Sequence, residues 1–216
     1  MKDIILIGSG GCMRELAWQM QEQNKANRIW NIQGYVDVTV PENGEGEYVG
    51  TYMIPYLGDD NYLLQQKKDV NAVLCVGSPK LRQKIAQKLL QNPYIHFPNV
   101  ILGDTRICDD VKMGQGCVIS MDARISTNVV LGNFVFLNIG TMVCHDGQIG
   151  DFVTLSPDVK LAGNVRIGAG SDIGIGTRVI QGVRIAEQVI AGAGSVIIRD
   201  IMEACTVVGV PARRCK

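Results

Sequence analysis

The chain has 216 residues, and its 21 lysine and arginine residues balance 21 aspartate and glutamate residues, so the formal net charge is zero at pH 7. This balance leaves no broad basic field for nucleic acid or an anionic membrane, and neither is an expected partner. The longest apolar stretch near the start, residues 4–7, is too short for a signal-peptide core or a membrane span. Seven cysteines without a CxxC pair indicate free thiols in a reducing, cytoplasmic compartment.

The first 95 residues alternate predicted strands with predicted helices, which is typical of a parallel α/β sheet. Strands are predicted at residues 4–7, 32–37 and 71–77, and helices at 12–25 and 79–91. Residues 38–50 are predicted as a surface loop and 92–98 as a linker. The second helix is predicted to be amphipathic, with an apolar face made of Leu81, Ile85, Leu89 and Leu90.

A glycine-rich turn at residues 8–11 follows the first strand. Backbone N–H groups at such a turn, together with the N-terminus of the next helix, can bind phosphate. The dinucleotide fingerprint G-x-G-x-x-G is incomplete because Met13 occupies its last place, and Asp37 follows Gly8 by 29 residues instead of about 20. A nucleotide other than a nicotinamide cofactor is therefore favoured, and a purely structural turn is the main alternative.

The second half of the chain has a six-residue period that continues without a slip over 17 positions. This period is typical of a parallel β-helix, in which three hexamers form one triangular coil of 18 residues and each coil buries its apolar side chains against the next. An all-β sandwich would place its turns at irregular intervals of roughly 8 to 12 residues. The apolar positions are Ile101, Ile107, Met113, Ile119, Ile125, Leu131, Leu137, Val143, Ile149, Leu155, Leu161, Ile167, Ile173, Val179, Ile185, Ala191 and Ile197.

The chain has only two histidines. His96 lies in the predicted linker, where a packing role is favoured. The hexapeptide register places His145 on the outer surface of the β-helix, and one coil later the chain has Gly163, which predicts room for a ligand beside the imidazole. A second pair one coil apart, Ile175 and Ala193, would line a groove parallel to the helix axis.

The hexapeptide run, the stretches 138–146, 149–152 and 162–165, and the ending 208–213 resemble the left-handed β-helix acyltransferases. Within these, the chain is similar to the sialic-acid O-acetyltransferase group (NeuD/PglD-type), which acetylates amino sugars, often as nucleotide-sugars, for bacterial surface glycans. The resemblance implies an α/β Rossmann-like nucleotide-sugar-binding domain at residues 1–95. A left-handed parallel β-helix acyltransferase domain with a C-terminal tail would follow at residues 96–216.

The resemblance also implies an acetyl-CoA-dependent homotrimer with active sites between subunits and no metal. It assigns His145 as the general base that deprotonates the attacking acceptor, and Asp146 as the carboxylate that orients the imidazole. An unperturbed histidine titrates at roughly pH 6.5, which suits this task. Gly163 would offer a backbone N–H to the developing oxyanion. The other implied contacts are Asn138, Gly10, Gly11, Cys12 and Asp37 for the acceptor, and Thr154, Ile175 and Ala193 for acetyl-CoA.

Three positions depart from the family's pattern. Cys12 stands where the glycine turn commonly continues with a histidine, and Cys144 stands where some members that act on UDP-amino sugars carry an acid. Thr154 replaces a histidine that contacts the acetyl donor in some members. These changes leave acetyl transfer in place and leave two acceptor classes open. N-acetylation of a nucleotide-linked amino sugar is favoured, and O-acetylation of sialic acid or another hydroxyl compound is the alternative.

Two other functional classes compete with the acetyltransferase. A zinc carbonic anhydrase built on the same helix needs three histidines around each metal, whereas His145 is the only histidine of the hexapeptide run. A non-catalytic scaffold that binds nucleotide-sugars is the other alternative. The presence of His145, Asp146 and Gly163 together argues against the scaffold.

Overall fold

The computed structural model describes residues 1–215 and divides the chain into two compact units. The first consists of Met1–Gly77 and Leu81–Pro98, and the second of Ser78–Lys80 and the residues from Asn99 onward. Lys216, the last residue of the predicted second domain, lies outside the described residues. None of the helices within residues 1–215 combines the length and the apolar character needed to span a membrane.

The first unit is a six-stranded sheet that is parallel apart from one antiparallel hairpin at its edge. Its elements are β1 (Lys2–Ile7), α1 (Gly11–Ala26), β2 (Trp30–Val36), β3 (Gly46–Val49), β4 (Tyr52–Gly58), α2 (Asp60–Leu64), β5 (Val70–Leu74), α3 (Pro79–Leu89) and β6 (Ile95–His96). The spatial order is β3-β4-β2-β1-β5-β6. The chain therefore moves from β1 to one side of the sheet and returns to the other side, which places a topological switch point between β1 and β5.

Two strands lie where the sequence predicts irregular chain. β3 falls within the predicted loop and pairs with β4, and a β-carbon at Gly46 would lie 2.1 Å from the carbonyl oxygen of Ile54. Gly46 thus reflects a close backbone approach within a hairpin. β6 falls within the predicted linker and pairs with β5 at the sheet edge.

Helix α3 buries only part of the apolar face predicted for it, since Leu89 is fully buried and Ile85 is partly buried. Leu81 and Leu90 are 48% and 44% exposed, whereas Arg82 is buried. The Arg82 guanidinium donates hydrogen bonds of 2.9 Å to the carbonyl oxygens of Val76 and Gly77, just beyond β5. A buried guanidinium is tolerated only where its N–H groups are bonded, so these carbonyls explain why a charged residue occupies the inner face.

The second unit is a solenoid of 17 two-residue parallel strands, one for each hexapeptide. Stacked partners are 18 residues apart, as where Val118 pairs with Val100 on one side and Phe136 on the other. The solenoid therefore has between five and six coils. Its strands are β7 (Val100–Ile101), β8 (Arg106–Ile107), β9 (Lys112–Met113), β10 (Val118–Ile119), β11 (Arg124–Ile125), β12 (Val130–Leu131), β13 (Phe136–Leu137), β14 (Met142–Val143), β15 (Gln148–Ile149), β16 (Thr154–Leu155), β17 (Lys160–Leu161), β18 (Arg166–Ile167), β19 (Asp172–Ile173), β20 (Arg178–Val179), β21 (Arg184–Ile185), β22 (Ile190–Ala191) and β23 (Val196–Ile197).

These strands form three faces. Face 1 contains β7, β10, β13, β16, β19 and β22, and is extended by β24 (Thr206–Val208) and β25 (Arg213–Arg214). Face 2 contains β8, β11, β14, β17, β20 and β23, and face 3 contains β9, β12, β15, β18 and β21. The inward column of face 1 is fully buried at Ile119, Leu137, Leu155 and Ile173.

The corners between faces contain residues with positive φ. Asn128, Asp146 and Asn164 have φ values of 55°, 61° and 57°, and they stack at the corner between faces 2 and 3. Asparagine and aspartate adopt this left-handed conformation more readily than other side-chain-bearing residues. The same backbone requirement that turns each corner therefore aligns polar side chains in a column along the outside of the solenoid.

Candidate active site and nucleotide cavity

His145 and Asp146 lie in the turn after β14, at the corner between faces 2 and 3, where 60% of the His145 side chain is exposed. The Nδ1 of His145 is 2.7 Å from the Oδ2 of Asp146. The hydrogen bond from His145, together with one from Asn128, holds the pKa of the Asp146 carboxyl below its ordinary value. An ionised carboxylate can only accept, so Nδ1 has the proton and Nε2 is left as the basic nitrogen.

Gly163 lies directly against this imidazole. A β-carbon at position 163 would be 2.3 Å from Cε1 and 2.4 Å from Nε2 of His145. The predicted room for a ligand in this column is therefore occupied by the histidine ring itself, which corrects the sequence interpretation. Within residues 1–215, the N–H of Gly163 donates to no protein acceptor, so the residue against the imidazole has an unused hydrogen-bond donor.

Three other predicted site residues lie at a different corner, between faces 1 and 2. Asn138 follows β13, and its Oδ1 accepts a 2.7 Å hydrogen bond from the Ile139 N–H. Ile175 and Ala193 follow β19 and β22 one coil apart, and Ile175 is 53% exposed. No hydrogen bond in the described part of the chain joins any of them to His145, and the strands of face 2 separate the two corners.

Thr154 lies at neither corner. It belongs to β16 on face 1, where it pairs with Phe136 and Asp172 and is only 4% exposed. A single chain therefore brings together His145, Asp146 and Gly163, and keeps Thr154 on another face.

Cys144 ends a surface groove on face 2 that the sequence did not reveal. The groove has a volume of about 380 Å³, and its lining includes Arg106, Arg124 and Met142. The two arginines are cross-strand neighbours one coil apart. The groove thus brings two positive charges onto the face that ends at the His145 turn.

The glycine turn of the first unit opens over the N-terminus of α1. Gly8 has a φ of +113°, and a β-carbon there would lie 3.1 Å from the carbonyl oxygen of Cys75, so the backbone requires glycine. Gly10 caps the helix, and a β-carbon at Gly10 or Gly11 would meet nothing within 4 Å. The helix N-terminus is therefore accessible to an anion at the switch point of the sheet.

A cavity of about 390 Å³ lies beside this turn, where β1, β2 and β5 end. Asp37 lines it, and the Asp37 carboxylate accepts a 2.8 Å hydrogen bond from the Thr39 N–H. Helix α3 contributes apolar and cationic side chains, which explains why Leu81 faces away from the core. The lining consists of Ile7, Gly8, Val36, Asp37, Val38, Asp60, Val76, Leu81, Lys84, Ile85 and Lys88.

Cys12 is the second residue of α1, and its side chain is uncharged. Burial raises the pKa of its thiol to about 12, with a further increase from the Glu15 carboxylate and an opposing effect of the Arg82 guanidinium. The thiol is therefore neutral at physiological pH. A neutral thiol at position 12 can take part in a hydrogen bond.

His96 has no packing role, contrary to the sequence prediction. Its side chain is 51% exposed, and its Nε2 is 2.8 Å from the Oδ1 of Asp69. Among residues 1–215, no three histidine, cysteine, aspartate or glutamate side chains cluster closely enough to hold a metal ion.

Known proteins resemble this chain in both units. Residues 3–89 match the family model of the PglD N-terminal domain. The acetyltransferase domain of PglB from Neisseria gonorrhoeae, solved with acetyl coenzyme A, has a TM-score of 0.86 at 28% identity, over 99% of both chains. PerB from Caulobacter crescentus, solved with CoA and GDP-perosamine, has a TM-score of 0.86 at 27% identity, over 100% of this chain and 98% of its own.

A third solved structure, WeeI from Acinetobacter baumannii, shares the fold with a TM-score of 0.82 at 24% identity, over 100% of both chains. No curated protein sequence matches the chain. The structural matches confirm the predicted fold class, an α/β Rossmann-like unit followed by a left-handed parallel β-helix.

Proposed function

We propose that this chain, which shares the PglD N-terminal domain and the whole-length fold of the NeuD/PglD-type left-handed β-helix acyltransferases, transfers an acetyl group from acetyl-CoA to the amine of a nucleotide-linked sugar. The observation that carries the proposal is the His145–Asp146 pair, which leaves Nε2 basic in a ring that lies directly against Gly163. The relatives support both substrates, because PglB was solved with acetyl coenzyme A and PerB with CoA and GDP-perosamine.

In the proposed reaction, Nε2 of His145 takes a proton from the acceptor amine as the amine nitrogen attacks the thioester carbonyl carbon. Asp146 stabilises the imidazolium that forms. The carbonyl oxygen becomes an oxyanion, to which the N–H of Gly163 donates, and a fixed donor of this kind contributes about 3 kcal/mol to transition-state stabilisation. The C–S bond then breaks, the amide forms, and the imidazolium returns its proton to the CoA thiolate.

The first unit would hold the nucleotide. The open N-terminus of α1 at Gly10 and Gly11 suits a diphosphate, since its N–H groups and helix dipole favour negative charge. The adjoining cavity suits the base and ribose, with Asp37 as a hydrogen-bond acceptor and Lys84 as a cation at its wall. Cys12 would contact the nucleotide-sugar as a neutral thiol.

A homotrimer with sites between subunits is part of the proposal. Ile175 and Ala193, the proposed contacts for the pantetheine arm, lie across face 2 from His145 of the same chain. A neighbouring chain that packs against this face would bring its own corner to His145. Asn138, which lies at the same corner as Ile175 and Ala193, would join the site in the same way, whereas Thr154 would stay on face 1.

Acetyl-CoA consumption, followed as thiol release, tests the proposal with UDP-, GDP- and dTDP-linked amino sugars, their N-acetylated counterparts and free sialic acid. We expect turnover with a nucleotide-linked amino sugar and none with its N-acetylated form. His145→Ala should lower kcat at least a hundredfold, which is about the effect of losing a general base, while His96→Ala should leave kcat unchanged. Turnover with sialic acid alone would contradict transfer to an amine and indicate O-acetylation instead. Near-normal turnover of His145→Ala would show that His145 is not the general base.

A further inference from the structure

The carboxylate of Asp146 has a second hydrogen-bond partner on the preceding coil. The Asn128 side-chain amide donates to Oδ1 of Asp146 over 2.6 Å, while Oδ2 faces Nδ1 of His145. Both oxygens of one exposed carboxylate are therefore directed, one toward the solenoid corner and one toward the imidazole. Asn128 and Asp146 have nearly the same left-handed backbone, with φ values of 55° and 61°.

Asn128 is itself held by the coil before it. Its backbone N–H donates to Oδ2 of Asp110 over 2.9 Å, and the hydroxyl of Thr127 donates to the same oxygen over 2.5 Å. These bonds hold the pKa of the Asp110 carboxyl below its ordinary value. Three successive coils thus form a hydrogen-bonded ladder that ends at His145.

We infer that Asn128 is a positioning residue, whose amide orients the Asp146 carboxylate toward His145 and is held in place by Asp110 and Thr127. The inference rests on the proposed function for its catalytic meaning. Since 48% of the Asp146 side chain is exposed, water would otherwise solvate the carboxylate and let it rotate. A bond to one oxygen leaves the other aimed at Nδ1, which fixes Nε2 as the basic nitrogen and holds the ring over Gly163.

Two substitutions separate this role from a contribution to folding. Asn128→Gly removes the amide and keeps the left-handed backbone without strain. Asn128→Asp has almost the same shape and also tolerates a positive φ, but it places a second carboxylate beside Asp146. Gln188→Gly is the matched control, because Gln188 has a φ of 56° at the corner between faces 3 and 1.

The kinetic test follows kcat/KM against pH with acetyl-CoA and an accepted nucleotide-linked amino sugar. We expect Asn128→Gly to lower kcat roughly tenfold with little change in KM, as is typical when an orienting partner is lost. The acid limb of the profile should move to lower pH in Asn128→Gly, because a misplaced Asp146 stabilises the imidazolium less. It should move to higher pH in Asn128→Asp, because the added negative charge stabilises the imidazolium more. The Gln188→Gly profile should match the wild type, and wild-type profiles in both Asn128 variants would overturn the inference.

A second measurement does not depend on turnover. The chain has two histidines, so ¹⁵N imidazole spectra of the His96→Gln variant report on His145 alone. Well above the histidine titration, we expect a single Nδ1–H tautomer, and a mixture of tautomers after Asn128→Gly is added. An unchanged single tautomer in the double variant would overturn the role of Asn128, whether or not an acceptor has been found. Failure of every acceptor in the thiol-release assay would instead contradict the proposed function alone.

Discussion

Because Gly163 has no side chain, the His145 ring can lie directly against its backbone. A β-carbon there would be 2.3 Å from Cε1 and 2.4 Å from Nε2, closer than non-bonded atoms approach. We therefore expect Gly163→Ala to displace the imidazole and lower kcat by at least tenfold, roughly the effect of moving a general base out of line. Thiol release measures the loss, and the melting temperature should change little because the ring is mostly exposed.

The His145→Ala background provides the control for this substitution. With the ring removed, a methyl group at position 163 has nothing to displace, so adding Gly163→Ala should have little further effect on the residual rate. The two changes are then non-additive, as expected for residues in direct contact. Equal losses in both backgrounds would show that Gly163 acts independently of the ring.

The lowered pKa of Asp146 has a consequence for stability. A carboxyl whose pKa is lower in the folded state stabilises the protein above its unfolded value, near 3.8, and this contribution is lost as the pH falls through the folded value. The wild type should therefore melt above Asp146→Asn at pH 5 to 7, and the difference should shrink below about pH 4. Melting temperatures of both proteins across this range check the sign, and a difference that grows on acidification would contradict it.

The residues of the site differ in how far the sequence could predict them. Adding one coil to His145 leads to Gly163, and subtracting one coil from Asp146 leads to Asn128 by the same arithmetic. The sequence could therefore have identified Asn128 as a neighbour of Asp146, although it could not show the direction of the Asn128 amide. The sequence could not predict the burial of Arg82, because a charged residue in an amphipathic helix normally faces water. Arg82 is buried because its guanidinium donates to the carbonyls beyond β5.

At the scale of elements, the hexapeptide run predicted every strand of the solenoid because each coil repeats one constraint, an inward apolar residue at a fixed position. The first unit has no such repetition. Strand β3 resembles a loop in composition, because a glycine that allows close backbone approach, such as Gly46, cannot be told in the sequence from a glycine that allows flexibility. The missed strand β6 has only two residues, too few for a periodic signal.

The contribution of a core side chain to the free energy of unfolding should depend on its position along the solenoid. Ile101 and Ile173 occupy the same inward column of face 1, but Ile173 is fully buried whereas Ile101, on the first coil, is only partly buried. We expect Ile173→Ala to reduce the free energy of unfolding by about 2 to 5 kcal/mol, and Ile101→Ala by clearly less. Denaturant titration measures both, and equal losses would show that the first coil is as tightly supported as the interior.

At the scale of the whole molecule, each unit contributes one proposed binding feature: an open helix N-terminus with a cavity in the first, and the His145 corner in the second. Neither feature makes a complete acetyltransferase site, since Ile175 and Ala193, two of the proposed acetyl-CoA contacts, lie across face 2 from the base. The proposed mechanism therefore requires an arrangement of subunits that brings the acetyl-CoA contacts of one chain to the base of another.

Mixed oligomers test this arrangement directly. Sedimentation equilibrium of a trimer of 23.5 kDa chains should give a molecular mass of about 70 kDa. His145→Ala removes the base and Ala193→Trp should obstruct the pantetheine contact, so each variant alone should be nearly inactive. In a shared site, one chain supplies position 145 and its neighbour supplies position 193. When the two variants are co-expressed in equal amounts and assemble at random, each position is intact in half of the sites, so both are intact in about one quarter of them. Recovery of about a quarter of wild-type turnover would support a site shared between subunits, whereas no recovery in mixed trimers would place both parts in one chain.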